Sequence, residues 1–141
     1  MAKTTKAIDH EAAVFSVAAG TGKYRLTARV IAAGVDRIVI ITGGDRPHIG
    51  AVATACTIAD PDRAGCREVS VSVITLPGHR EDEIARKVAR TLTKRFGVNV
   101  AVSAGMHWDG IPPRGIQTVI RNSDLLCEAI RAKWQQMMEA R

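Results

Sequence analysis

Residues 67–97 read REVSVSVITLPGHREDEIARKVARTLTKRFG, and the periodicity of the chain changes within them. Val69, Val71 and Val73 alternate with Ser70 and Ser72, the two-residue repeat of a half-buried strand. Beyond Leu76-Pro77-Gly78, the residues Ile84, Val88, Leu92 and Phe96 recur every fourth position with charge on the other faces. That spacing predicts an amphipathic helix. Glu81, Asp82 and Glu83 stand in its first turn and Gly97 follows its last, as the helix dipole and a left-handed C-cap favour.

Upstream of this switch the chain is strand-like. Tyr24, Leu26, Ala28 and Val30 alternate with Arg25, Thr27 and Arg29, and DRIVIIT (36–42) is a short β-branched run. IGAVATACTI (49–58) is small and apolar, as expected of a strand packed closely on both faces. AAVFSVAA (12–19) supplies an opening strand, and GTG, AGVD and ADPDRAG mark turns between the segments. Downstream, VNVAVSAG (98–105) is another strand. A helical region then covers 114–138, with a break expected at Asn122-Ser123-Asp124, where an N-cap would start a last helix.

The predicted order is five strands, helix, strand, helix. It belongs to the α+β class: a largely antiparallel sheet of about six strands, one face covered by two or three helices. Short connections favour an antiparallel meander. No repeat or linker divides residues 1–141, so one domain is expected, with 1–11 and 139–141 as loose ends.

Composition narrows the function classes. Hydrophobic residues make up 46% and charged residues 24%, as in an ordinary globular protein. Aromatics are only 4%, so the core must be built from Val, Ile, Ala and Leu. The net charge of +6 suits an anionic partner: a phosphorylated cofactor, an acidic protein or a nucleic acid. Arg86, Lys87, Arg90, Lys94 and Arg95 line a helix and read as solvated surface. No basic strand carries the aromatics that stack single-stranded bases, which sets nucleic acid aside. Cys56, Cys66 and Cys127 lack CxxC spacing, and there is neither a signal peptide nor a long apolar run. A reduced, cytoplasmic protein away from the membrane is expected. Cys56 and Cys66 could face each other across a hairpin, but free thiols are expected.

GTGK (20–23) is not a phosphate loop: the glycine five positions before Gly22 is replaced by Val17, and Tyr24 stands where Ser or Thr is needed. Three other segments place a histidine beside glycines at junctions between predicted elements. They are GGDRPHIG with Gly43, Gly44, Arg46 and His48, LPGHRED with His79, and AGMHWDGIPP with His107, Trp108 and Asp109. Glycine allows close backbone approach to a ligand, and loops carried on a rigid scaffold are where function concentrates. Neutral imidazoles with Asp109 or Asp82 would form a metal ligand set, although no two histidines have the spacing of familiar metal motifs. An anionic planar ligand fits equally: Gly43 and Gly44 amides with Arg46 for a phosphate, Trp108 as a stacking face, the histidines for a polar edge. Trp134 and the Met137-Met138 pair face either a partner or the helix core.

GGDRPHIGAVA, LPGHREDEIARKVA and GMHWDGI, in that order, resemble the LpdD-like prenylated-flavin chaperones, with looser similarity over residues 12–135. That resemblance implies a fold like the proteasome-assembly chaperones. It also implies a non-enzymatic protein that binds prenylated FMN (or FMN) and supports its delivery to, or activation in, a UbiD-type decarboxylase. A flavin prenyltransferase is a further candidate partner, and a homodimer is expected. Two alternatives stand beside it. One is a small metal-dependent enzyme using His48, His79 and His107 with Asp109. The other is an assembly chaperone without a cofactor, whose loops shape a protein interface and whose sheet edge pairs with a partner.

Overall fold

The computed structural model describes residues 14–59, Asp62 and residues 67–140. Six strands and two helices follow one another as β1 (Val14–Ala19), β2 (Leu26–Ala33), β3 (Asp36–Gly44), β4 (Ala51–Ala59), β5 (Arg67–Thr75), α1 (Asp82–Phe96), β6 (Val100–His107) and α2 (Pro113–Glu139). They form one sheet in the order β1-β2-β3-β6-β4-β5. Every pairing is antiparallel except β3 with β6. This is the α+β architecture expected from the strand-to-helix switch.

The two-residue repeat decides which face is apolar, and the register joins the strands into rows. Phe15 lies opposite Val30, Val30 opposite Val39, Val39 opposite Val102, Val102 opposite Ala53, and Ala53 opposite Val73. Directly opposed residues share a face, so one apolar row crosses all six strands. Helix α1 covers β4, β5 and β6, and α2 covers β1 and β2. Val88, Ala89 and Leu92 of α1 are buried against Ala51, Ala53 and Ala55, whose small side chains are wholly buried. Removing Leu92 or Ile130 from water stabilises the fold by roughly 1.5–3 kcal/mol each. Gly97 ends α1 in the left-handed conformation at φ 68°, and its amide donates to the Thr93 carbonyl at 2.8 Å, as the C-cap rule predicts.

Four expectations need correction. The sheet is not a simple meander: β6 returns through α1 and inserts between β3 and β4, where it finds hydrogen-bonding partners on both sides. β4 is packed on one face only, because Thr54, Cys56 and Ile58 lie exposed on the other. Tyr24 belongs to a 3-10 turn, Gly22–Tyr24, rather than to β2. Finally, α2 is unbroken through Asn122-Ser123-Asp124. The would-be capping groups are engaged elsewhere: Asn122 Nδ2 donates to the Tyr24 carbonyl at 2.8 Å, and Ser123 Oγ donates back to the Ile120 carbonyl at 2.6 Å. Neither competes with the helical main chain as a cap would.

Trp134 is core: it stacks on Phe96 at 3.9 Å between ring centroids and is 3% exposed. Met137 packs against this cluster, whereas Met138 is exposed. The expected loose N-terminal segment 1–11, and the Cys56–Cys66 arrangement through its second member, lie outside the described residues. Among the described residues, no helix is long and apolar enough to cross a membrane.

Candidate functional site at one end of the sheet

Insertion of β6 parallel to β3 brings three distant segments to the same end of the sheet. Gly44, the last residue of β3, is in register with His107, the last of β6. Ala51, the first residue of β4, pairs with Ala104 on one side and Thr75, the last of β5, on the other. The segments carrying His48, His79 and His107 therefore leave the sheet side by side. With Arg46, the three histidines line one open depression of about 310 Å³.

Glycines make the close approach possible. Gly44 has φ 79°, and a Cβ there would stand 2.1 Å from the His107 carbonyl oxygen. The next amide, Asp45, donates to that same carbonyl at 2.8 Å. Gly43 sits over Leu26, so it serves packing beneath the loop. Gly105 lies under the His48 main chain and Gly50 under the Glu81 carboxylate, at distances that leave no room for a side chain.

The polar groups fall into two connected clusters. In the outer one, Arg46 Nη2 donates to Asp109 Oδ1 at 2.7 Å, and His107 Nε2 shares that oxygen at 3.0 Å. The hydrogen bond from His107, followed by the Arg46 charge, holds the Asp109 carboxyl below its ordinary range. In the inner cluster, His48 Nε2 lies 3.0 Å from His79 Nδ1 and 3.1 Å from Glu81 Oε1. The two rings are tilted by 39° with centroids 4.5 Å apart. Glu81 is buried, and its oxygens accept the Arg80 amide at 2.9 Å and the Met106 amide at 3.2 Å.

The histidines and Arg46 grouped from the sequence lie together, and Asp109 joins His107 and Arg46, but Asp82 is not the acid beside His48 and His79. Asp82 opens α1, whereas the carboxylate that reaches the histidines is Glu81, the N-cap residue whose side chain makes no cap hydrogen bond. The available signal was the spacing His79-Arg80-Glu81 just ahead of the helix. Local rules assigned that acid to the helix dipole instead. Trp108 is also placed differently from a stacking platform. It is 8% exposed, its indole donates to the Lys23 carbonyl at 2.6 Å, and Tyr24 meets it edge-on at 5.6 Å. The ring packs into the core behind His107 and anchors that segment.

The model of the prenylated flavin chaperone LpdD-like domain matches residues 20–135. The chain belongs to this family. Protein LpdD of Lactiplantibacillus plantarum is 25% identical to this LpdD-like chain over 109 residues, 76% of this chain and 75% of that protein. Among solved structures, a chain from the crystal structure of a chaperone complex for yeast 20S proteasome assembly aligns with a TM-score of 0.54. That match is 13% identical, covers 89% of this chain and 98% of the other, and establishes a likeness of fold. The family points to a chaperone role.

Proposed function

We propose that this LpdD-like chain is a non-enzymatic cytoplasmic chaperone that binds prenylated FMN and supports its delivery to, or activation in, a UbiD-type decarboxylase. One observation supports the reading most: the three family-like histidine segments, dispersed in sequence, line a single depression together with Arg46. Arg46, exposed and already paired with a carboxylate oxygen of Asp109, would exchange that partner for the ligand phosphate, to which a guanidinium bonds in the same forked geometry. His48, His79 and His107 present ring nitrogens to the polar edge of the flavin. Gly43 and Gly44 bring the floor of the loop close, Asp109 orients Arg46 and His107, and Trp108 braces the segment from behind. An open depression suits a chaperone, because a bound ring must remain within reach of the decarboxylase and of the flavin prenyltransferase.

Anaerobic purification after co-expression with a flavin prenyltransferase is the direct test. A coloured protein carrying about one prenylated FMN per chain is expected, and parallel loading with FMN tells the two ligands apart. A colourless product that also fails to take up supplied prenylated FMN would overturn the reading. Arg46→Ala should weaken loading by roughly tenfold or more, the loss of one charge-assisted contact, without altering the unfolding temperature.

The open face of the sheet is the proposed contact with a second copy. Ile38, Ile40, Ile58 and Ile74 are exposed there. Arg29, opposite Ile40, and Glu68, opposite Ile58, stand toward opposite margins of this face. A two-fold axis lying in the interface, diagonal to the strands, would bring these unlike charges together in an isologous pair.

A further inference from the structure

We propose that His48, His79 and Glu81 form a binding site for one divalent transition-metal ion. The inference does not require the flavin reading, although it draws on two of the same histidines, and follows from the grouping of the three side chains. His48 Nδ1 is 2.8 Å from the Arg46 carbonyl oxygen. A carbonyl only accepts, so Nδ1 carries the ring proton, and the neutral ring presents a lone pair at Nε2. That lone pair points at Glu81 Oε1 and at His79 Nδ1. Glu81 accepts two main-chain amides, one at each oxygen, which fixes the orientation of its carboxylate toward the two rings.

With His79 in its Nε2–H tautomer, lone pairs of all three side chains face one partly buried space: His48 Nε2 lies 3.0 Å from His79 Nδ1 and 3.1 Å from Glu81 Oε1, and His79 Nδ1 lies 3.8 Å from Glu81 Oε2. Without a metal, a proton on His79 Nδ1 serves the contact between the two rings; a cation takes its place by drawing on both ring nitrogens and the carboxylate. Nitrogen and carboxylate ligands stand about 2.0–2.2 Å from zinc in tetrahedral sites, which places ligands roughly 3.3–3.5 Å from one another. The observed separations bracket that spacing, and one ligand atom from each of the three residues lies within 4.8 Å of the other two. Two histidines and a carboxylate are a ligand set that leaves a coordination position open.

The supporting shell is also in place. The His48 Nδ1–H bond to a main-chain carbonyl sets the tautomer that a metal-bound imidazole needs, and the two amides orient the Glu81 carboxylate. Gly105 and Gly50 let the His48 loop and Glu81 seat this closely. The open position faces the depression shared with Arg46 and His107, so water or an anionic ligand completes the coordination.

The test uses full-length chain purified without the prenyltransferase, so that it is flavin-free, and stripped of metal by chelator. Zinc(II) is titrated by calorimetry, and cobalt(II) is followed by its visible absorption. One equivalent per chain is expected, with a low-coordinate cobalt spectrum. His48→Ala, His79→Ala and Glu81→Gln should each weaken zinc binding by at least about 100-fold, beyond the 10–100-fold typical of outer-shell losses. Cys56→Ala, on the open sheet face, should leave affinity and stoichiometry unchanged. Histidine nitrogen NMR of wild-type protein supplies a readout that does not depend on the folding of variants: zinc should shift His48 Nε2 and His79 Nδ1. Absence of a one-to-one isotherm, or zinc affinity retained within threefold in Glu81→Gln and in His48→Ala, overturns the proposal. So does a zinc-loaded spectrum in which those two nitrogens are unmoved.

Discussion

Gly105→Ala should dismantle the site while leaving the sheet formed. Gly105 belongs to β6, and a Cβ there would stand 1.7 Å from the His48 carbonyl oxygen and 2.3 Å from the His48 carbonyl carbon. Non-bonded atoms rest about 3.5 Å apart, so the His48 main chain must retreat by roughly 1.5–2 Å. Overpacking of this kind costs about 1–3 kcal/mol. The displaced loop also strains the Gly50 amide bond to the Ala104 carbonyl, now 3.0 Å, whose loss adds roughly 0.5–1.5 kcal/mol. A total of about 2–4 kcal/mol lowers the melting temperature of a chain this size by roughly 8–15 °C. The same movement pulls His48 Nε2 away from Glu81 and His79, so zinc affinity should fall with stability. Gly110→Ala is the comparison: its φ of 63° strains the backbone, but nothing lies within 4 Å of the added methyl, and zinc binding should persist. Circular dichroism melts and zinc calorimetry on the two variants suffice. A Gly105→Ala protein that melts within about 3 °C of wild type and binds zinc equally would refute the close-approach argument.

Other consequences follow from single contacts. Asn122→Ala removes the amide that satisfies the Tyr24 carbonyl from within α2 and should destabilise the fold by about 1–3 kcal/mol in urea melts. Ile40→Glu places a charge on the open sheet face and should shift a dimer to monomer in light scattering; an unchanged mass would remove that face as the contact. Burial pushes the Cys127 thiol up from 9.0 to about 11. The folded state therefore keeps this proton between pH 9 and 11 while the unfolded state releases it. The associated stability is present below pH 9 and is lost as pH rises toward 11. About 1–2 kcal/mol should disappear over that window after solvent screening, and Cys127→Ser should show a correspondingly shallower alkaline decline. At pH 8, a thiol reagent should label exposed Cys56 while Cys127 stays protected in the folded chain.

Much of this protein was legible before any coordinates. The alternation in residues 26–30 and 69–73 and the four-residue spacing from Ile84 to Phe96 are local signals, because side-chain direction depends only on backbone period. They determined the element types, their order and the apolar face. The same locality explains the misreadings. Asn122-Ser123 looked like a cap because the carbonyl that Asn122 serves belongs to Tyr24, 98 residues away. IGAVATACTI looked buried on both faces because composition alone does not count how many helix layers cover a sheet.

The site shows the division most plainly. Glycines beside His48, His79 and His107 marked the segments in the sequence, since a missing Cβ is a property of the residue. Their meeting was decided by tertiary structure: β6 inserts parallel to β3, which sets Gly44 beside His107, while its pairing with β4 brings the His48 loop and the end of β5 to the same edge. Glu81 joined them for the same reason. By helix rules it is one more acid near an N-terminus, and only Gly50 beneath it and the Met106 amide across from it turn its carboxylate toward the histidines. Period is written residue by residue, whereas convergence depends on strand order, which no local stretch of this chain encodes.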